Sequence, residues 1–409
     1  MHHRQRLLPA VQIVFAASAS SYSSFLSLPS IFFASSPARR QLISSSGRLH
    51  LSKVMSSSTT AAAASASPSL QYIDAGANLL DLMYQGTYNG KERHEPDLDI
   101  VLARAYDSGV HHILTLAGTP KESEELLQLI EKLDQDHKND VERVKVFGTV
   151  GVHPTRCAEI FAEPCSSSEN GWRLKSEQEQ SQIIDQLKRV INQGKTSGNI
   201  VAVGEFGLDY ARLQFSPKEI QKIGCRKQLE MAIETKLPLY LHNRDSGDDL
   251  YDVLLEYRDR LVISQGGDGN IRGIVHSFDE GIDIANKLMS LGLHIGINGC
   301  SLKTAENLQV VAQIPLDNII LETDCPWCDI RPTHASFEHL RTTFRTKKEK
   351  QYNRVLAKDF CVKNRTEPCH VAQVAEVVAG VKSLDVAEVV LASNRNVFCV
   401  FGDLEKIIV

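Results

Sequence analysis

The feature that most constrains the fold is an alternation, from residue 71 onward, of short apolar runs with segments of helical period. Parallel strands joined by crossover helices give this order. Eight strands are predicted, at Tyr72–Leu80, Val110–Leu116, Val144–Val152, Ile200–Gly204, Pro238–Leu241, Gly273–Val275, Leu293–Ile297 and Asn318–Leu321. Eight βα units favour an α/β fold closed as a TIM-like (β/α)8 barrel. An open doubly wound sheet is disfavoured because no glycine-rich phosphate loop follows the first strand.

Residues 1–70 are expected to lie outside this barrel domain, which is assigned to residues 71–409. They contain no Asp or Glu, six basic residues and nineteen serines. This composition is typical of a transit peptide for a plastid or mitochondrion, and a disordered leader fits it as well. Residues 7–19 resemble a secretory segment, but nine scattered cysteines favour a reducing compartment. Translation from Met55 would instead leave the protein in the cytoplasm or nucleus.

The charge of the barrel domain limits the classes of partner. From residue 71 onward, 39 basic residues stand against 50 acidic ones, a net charge of −11. A strongly basic nucleic-acid binder is therefore disfavoured, whereas a nuclease that holds phosphate through metal ions is compatible with this charge. No apolar stretch reaches the ~18 residues of a membrane span, so no membrane partner is expected.

Potential metal ligands recur at the carboxyl ends of the predicted strands. Five of them lie one to three residues past an apolar run: His153, Glu205, His242, His276 and Asp324. In a closed barrel these ends meet at one mouth, where barrel enzymes place their chemistry. Imidazoles and carboxylates that converge in this way predict a divalent-metal site.

The motifs around these residues resemble, in order, those of the TatD family of metal-dependent deoxyribonucleases. They are Val152-His153-Pro154, Gly204-Glu205-Phe206-Gly207-Leu208-Asp209, Leu241-His242-Asn243-Arg244-Asp245, Val275-His276-Ser277-Phe278 and Glu322-Thr323-Asp324-Cys325-Pro326. The resemblance runs from about residue 72 to 400, and residues 74–79 and 298–303 are similar to the eukaryotic TatD-domain subgroup. It implies a barrel of the metal-dependent hydrolase type that hydrolyses phosphodiester bonds of DNA with a metal-activated water.

The resemblance also implies roles for individual residues. Glu205 is expected to bridge two metal ions, and His242 and His276 to complete one metal site. Asp324 is expected to bind metal or to activate the attacking water, and His153 to lie beside the scissile phosphate. Glu205, Asp324 and His153 are therefore the expected catalytic residues.

The first strand departs from the family pattern. Many members carry a His-x-His pair at the positions that Gly76 and Asn78 occupy here. A second metal site would then depend on Asn78 and Asp74, and its ion would be held more weakly. Oxygen-rich ligation favours two Mg²⁺ or Mn²⁺ ions, with Zn²⁺ left open.

Side chains near the motifs offer further candidates. Arg244, Arg365 and Arg212 are candidates for phosphate binding, because a guanidinium matches phosphate in a bidentate way. Cys325 and Cys328 form a C-x-x-C motif, but no second pair has zinc-site spacing. They are interpreted as ordinary thiols that line the loop after the eighth strand.

Two other functions remain open at this point. An amidohydrolase-type barrel could cleave an ester or amide, including an aminoacyl group. Many such enzymes use a carbamylated lysine on the fourth strand, so Glu205 at that place favours the nuclease by analogy. The other alternative is a non-catalytic nucleic-acid-binding scaffold, against which the joint presence of Glu205, His242, His276 and Asp324 argues.

Overall fold

The computed structural model of the protein describes residues 70–138, 142–402 and 404. The predicted leader lies outside the described residues, apart from Leu70. Across the described ranges, no helix combines the length and apolarity that a membrane crossing requires.

Eight parallel strands form one sheet in which the strands follow their order along the chain. Their bounds are β1 Tyr72–Ala77, β2 Val110–Thr115, β3 Lys145–Val150, β4 Ile200–Asp209, β5 Leu239–Arg244, β6 Gly273–His276, β7 His294–Ile297 and β8 Ile319–Leu321. The sheet closes where β1 meets the segment after β8, since Asp324 N donates to Gly76 O at 2.8 Å and Asn78 N donates to Cys325 O at 2.7 Å. The predicted TIM-like barrel is confirmed.

Helices cover the outer face of the sheet. Their bounds are α1 Leu98–Asp107, α2 Pro120–Asp136, α3 Cys157–Phe161, α4 Glu177–Thr196, α5 Lys218–Thr235, α6 Gly247–Ser264, α7 Ile282–Met289, α8 Ala305–Gln313, α9 Val371–Lys382 and α10 Val386–Phe401. Short hairpins interrupt this order at 87–92 and 162–174.

Side-chain caps fix several helix starts. Thr119 accepts from Glu122 N ahead of Pro120, and Ser176 and Glu179 form a reciprocal capping box. The segment Ser216-Pro217-Lys218-Glu219 has the pattern of a capped helix start with Pro at the first helical position, which predicts Ser216 as the N-cap of α5. This prediction is wrong. Pro217 is the N-cap, and the buried Ser216 hydroxyl has no hydrogen-bond partner.

The core has two layers. The larger one lies between the strands and the outer helices. The smaller one fills the barrel, where inward residues near the strand starts, such as Ile73 and Ile320, pack against Val397 and Phe401 of α10. Helix α10 therefore closes the amino-terminal end of the barrel, and the carboxyl end is left open for a site.

Candidate metal centre

Residues from five strands or strand ends surround the open mouth. Glu205 lies within β4, His242 within β5, and His276 is the last residue of β6. In the sheet register, His242 pairs with Gly207 on one side and with His276 on the other. His153 and Asp324 each follow their strand by three residues. The barrel thus brings together all five residues predicted at the mouth.

The Glu205 carboxylate is the centre of this group. Its Oε1 lies 2.7 Å from His242 Nδ1, 2.9 Å from His276 Nε2 and 3.4 Å from His153 Nε2. Ligand atoms of His153, Glu205 and His242 all lie within 4.8 Å of one another. Three imidazoles around one carboxylate oxygen form a donor set that a divalent cation matches.

In two of these histidines, the ring nitrogen that does not contact Glu205 faces another carboxylate. His242 Nε2 lies 3.3 Å from Asp209 Oδ2, and His276 Nδ1 lies 3.5 Å from Glu322 Oε2. Asp209 and Glu322 are fully buried. A carboxylate on the far side of a histidine orients the ring and raises its basicity, as is common around metal ligands. The residues present therefore fit a divalent cation.

Electrostatics favour an ionised Glu205. Burial alone would raise the pKa of this carboxyl, but the imidazoles of His276 and His153 outweigh it and hold the pKa well below its usual value. Burial lowers the pKa of His276, yet Glu205 and Glu322 raise it well above the ordinary value. Burial lowers the pKa of His153. A carboxylate that stays charged in a buried site is the ligand type that a cation requires.

Asp324 lies at the edge of the centre in a left-handed conformation with φ of 52°. Its Oδ1 accepts from Asn78 Nδ2 at 2.9 Å, and its Oδ2 accepts from Cys328 Sγ at 3.2 Å. Burial, partly offset by His276, raises the pKa of this carboxyl to about 6. Backbone conformations of this kind cluster at functional sites, where surrounding contacts hold them.

The first strand lacks space for the histidine that many TatD-like chains carry. A Cβ at Gly76 would lie 2.4 Å from Tyr240 Oη and 2.6 Å from Glu322 Oε2, and these two atoms hydrogen-bond each other at 2.8 Å. The Tyr240–Glu322 pair therefore occupies the place of that side chain.

Asp74 does not reach the metal centre. Its Oδ1 accepts from Thr323 N at 2.8 Å and its Oδ2 from Thr323 Oγ1 at 2.6 Å. The carboxylate is fully buried and ties β1 to the segment after β8. The prediction that Asp74 contributes to a second metal site is corrected on this geometry. Asn78 does line the mouth, but its amide nitrogen is directed to Asp324.

A cavity of about 420 Å³ opens beside the centre. Its wall includes Asn78, His153 and Glu205, together with Leu82 and Trp327, whose side chains are exposed. Apolar side chains on the wall of a cleft, together with a few convergent polar groups at its base, are typical of a substrate site.

Comparison with known proteins identifies the family of this centre. The model of the TatD-related DNase family matches residues 73–402. A deoxyribonuclease Tat-D of Schizosaccharomyces pombe is 36% identical over 323 residues, covering 78% of this chain and 92% of the relative. The chain belongs to the TatD family. A Saccharomyces cerevisiae protein of the same name is 32% identical over 389 residues, covering 82% of this chain and 92% of that one.

A solved TatD-family structure has the same fold. The structure of a TatD-family hydrolase from Entamoeba histolytica is 32% identical and has a TM-score of 0.69. It covers 82% of this chain and 100% of that one. The family resemblance seen in the five motifs is thus confirmed.

The three arginines predicted to bind phosphate lie in different environments in this TatD-family chain. Arg365 is buried, and its guanidinium contacts Asp97 at 2.6 and 2.8 Å and Glu367 at 2.9 Å. Its predicted contact with phosphate is corrected, since both partners are carboxylates inside the protein. Arg244 is half-buried at the end of β5, and Arg212 is exposed, 3.9 Å from Asp209. Phosphate binding by these two stays a prediction.

Sequence reasoning assigned no role to three residues at the mouth. Asp209 and Glu322 stand behind the histidines, and Cys328 contacts Asp324. Cys325 and Cys328 also do not act as a pair, because Cys325 is buried and Cys328 Sγ faces Cys300 Sγ at 2.8 Å. Extension of the fourth strand beyond Gly204 would place Asp209 on the same face as Glu205, and this alternation is the signal that could have found Asp209.

Proposed function

We propose that this chain is a divalent-metal-dependent deoxyribonuclease that hydrolyses phosphodiester bonds at the barrel mouth. The observation that carries the proposal is the Glu205 carboxylate oxygen, which contacts imidazoles of three different strand ends. Membership of the TatD family supports the choice of DNA as substrate. The alternative of a scaffold that has lost its ligands is disfavoured, because the whole donor set is present.

Each residue at the mouth has a distinct task in this proposal. A bound divalent cation would supply Lewis acidity toward the phosphoryl oxygen and would lower the pKa of water. Glu205, His242 and His276 would hold the cation. Asp324, fixed by two donors, would orient the attacking water and accept its proton. His153 faces the cavity and would contact the phosphate.

We further propose Mg²⁺ or Mn²⁺ as the ion, with a second ion held more weakly. Gly76 offers no side chain, and both Asp74 oxygens are occupied by Thr323. The remaining ligands for a second ion are Glu205, Asp324 and the Asn78 amide oxygen. Carboxylates and amide oxygens suit Mg²⁺ and Mn²⁺ better than Zn²⁺.

The cavity walls suit a DNA strand whose bases are unpaired. Trp327 is 47% exposed and Leu82 is 63% exposed, and both line the cavity that reaches Glu205. Bases of single-stranded DNA stack on exposed aromatic rings, whereas bases in a duplex do not expose a free face. We therefore propose a single-stranded segment or a frayed end as the substrate.

The test is metal-dependent cleavage of labelled single-stranded and duplex DNA by the purified protein. Protein treated with EDTA should be inactive, and excess Mg²⁺ or Mn²⁺ should restore cleavage. Glu205→Gln protein, purified in parallel, reports any contaminating nuclease. Undiminished cleavage in excess EDTA would contradict the proposal.

We also propose that residues 1–70 direct the protein to an organelle. The support is compositional, namely the absence of Asp and Glu among nineteen serines and six basic residues. A fluorescent reporter fused to residues 1–70 should enter a plastid or mitochondrion, and a fusion that starts at Met55 should not. Cytosolic fluorescence from both fusions would reject this proposal.

A further inference from the structure

Two thiols from neighbouring loops meet beside the metal centre. Cys300 follows β7 and Cys328 follows β8, and their Sγ atoms lie 2.8 Å apart. The backbones of the two loops are also in close contact, because a Cβ at Gly299 would lie 1.8 Å from the carbonyl oxygen of Cys328. Both cysteines are half-buried, so part of each residue is open to solvent. The pair therefore has the proximity and the access that thiol chemistry requires.

Other cysteines among the described residues lack one of these two properties. Cys157, Cys225, Cys325, Cys361 and Cys369 are buried. Cys165 is half-buried, but its Sγ faces the hydroxyl of Ser167 at 3.2 Å rather than another thiol. Cys399 is exposed and lies on α10, at the opposite end of the barrel. Oxidation by a small reagent is thus expected to distinguish the Cys300–Cys328 pair from the other thiols.

The pair is connected to the active site through one hydrogen bond. Cys328 Sγ donates to Asp324 Oδ2 at 3.2 Å, while Asn78 Nδ2 donates to the other oxygen at 2.9 Å. These two donors fix the orientation of the carboxylate. A disulfide has no S–H group, so oxidation of Cys328 would remove one of them.

We propose that Cys300 and Cys328 are a reversible oxidation site at which a low-molecular-weight disulfide forms an intramolecular disulfide bond. The Cys300 thiolate attacks the small disulfide, because the thiol proton of Cys328 is held by Asp324. This attack forms a mixed disulfide on Cys300 and releases one small thiol. The second thiolate attacks the protein sulfur of that mixed disulfide and displaces the other small thiol. Two protein thiols are oxidised and one small disulfide is reduced to two thiols, so electrons and protons balance.

The consequence for catalysis rests on the proposed function. The oxidised protein should turn over DNA at least about tenfold more slowly than the reduced one, because a hydrogen bond to a charged group is lost at Asp324. Metal binding by Glu205, His242 and His276 should be retained. A thiol reductant should restore the rate.

The experiment uses the full chain and oxidised glutathione as the probe. Peptide mapping by mass spectrometry should find a Cys300–Cys328 cross-link, with nuclease rates measured before oxidation, after it and after dithiothreitol. Cys300→Ser keeps the contact of Cys328 with Asp324, so it should be active and insensitive to oxidised glutathione. Cys399→Ser is the matched control and should stay sensitive.

A further variant separates positioning from packing. Cys328→Ser keeps a donor for Asp324 and should be active and insensitive, whereas Cys328→Ala should be slow in both redox states. Stable glutathione adducts without the cross-link, or unchanged sensitivity of Cys300→Ser, would overturn the inference. If the reduced protein cuts no DNA in the presence of Mn²⁺, the proposed function is rejected. The peptide map would still show whether the disulfide forms.

Discussion

Glu205 is the residue on which the charge of the centre depends, since three imidazoles share its Oε1. Glu205→Gln keeps the size of the side chain and removes its charge. We expect kcat/KM for DNA to fall by about 10³-fold or more, because a bound cation contributes several kcal/mol to the stabilisation of transition-state charge. Initial rates at saturating Mn²⁺ measure this loss, and thermal unfolding shows whether the variant is folded.

Glu125 provides the matched control for this variant. It lines the same cavity but is exposed and pairs with Lys121. Glu125→Gln should keep a rate close to the parent. If Glu205→Gln melts like the parent and cuts DNA at a comparable rate, Glu205 does not hold the metal.

Asp209 acts through His242 and is expected to be a positioning residue. Asp209→Asn should weaken metal affinity by about 10–100-fold, as is typical when the carboxylate behind a ligating histidine is removed. The rate at saturating metal should change much less. Calorimetric Mn²⁺ titration measures the affinity without reference to activity. An unchanged affinity would leave Asp209 with a role in packing only.

The sequence predicts Glu205, His242 and His276 because each of them lies in or just beyond an apolar strand, and barrel closure brings strand ends together. It misses Asp209 because the fourth strand is predicted to end at Gly204, whereas β4 continues to Asp209. It also misses Cys328, whose partner Cys300 is 28 residues away and belongs to another loop. Contacts between loops depend on backbone paths that apolar periodicity does not specify.

At the scale of elements, a buried ion network fastens the segment after β8 to α1. Arg365 bridges Asp97 and Glu367, and Glu367 also pairs with Arg104 of α1. Arg365→Met leaves the buried Asp97 carboxylate without its cationic partner, so we expect a loss of about 3–5 kcal/mol in the free energy of unfolding. Denaturant unfolding measures this loss, and KM for DNA should be unchanged in the folded fraction.

Arg244→Met is the contrasting variant for this network. Arg244 lies at the end of β5 and is half-buried, so its removal should change stability little and raise KM for DNA. A raised KM in Arg365→Met with parental stability would restore the sequence-based prediction that Arg365 binds phosphate. That prediction failed because a buried arginine and an exposed one look alike in sequence, and Asp97 is 268 residues away.

The loop after β8 carries the proposed stacking contact with DNA. Trp327→Ala should weaken binding of a single-stranded oligonucleotide by about 5–150-fold, since stacking on an aromatic ring contributes ~1–3 kcal/mol per base. Trp327→Phe keeps an aromatic face and should bind within a few-fold of the parent. Fluorescence anisotropy with a labelled oligonucleotide and the Glu205→Gln background, which prevents cleavage, measures both. Equal binding by all three proteins would mean that the DNA strand does not stack on Trp327.

In the whole molecule, one end of the barrel carries the candidate site and the other end contributes mainly to stability. The mouth concentrates buried charge, including Glu205, Asp209 and Glu322, in positions that hydrophobic residues would stabilise better. The opposite end is closed by α10, whose Val397 and Phe401 pack into the apolar interior of the sheet. Stability is therefore expected to come from the end that carries no chemistry, as in other barrels of this type.

This division predicts opposite outcomes for variants at the two ends. Val397→Ala removes buried methyl groups from the barrel interior and should lower the free energy of unfolding by about 1–3 kcal/mol. Leu391→Ala lies on the same helix but is 54% exposed, so it should cost less than about 0.5 kcal/mol. Both should keep the parental kcat at a temperature where they are folded, because neither contacts the mouth. Glu205→Gln should instead lose turnover in protein that circular dichroism shows to be folded. The kcat of Val397→Ala is to be measured where circular dichroism shows the protein fully folded. A lower kcat under those conditions would mean that the two ends of the barrel are coupled through the strands.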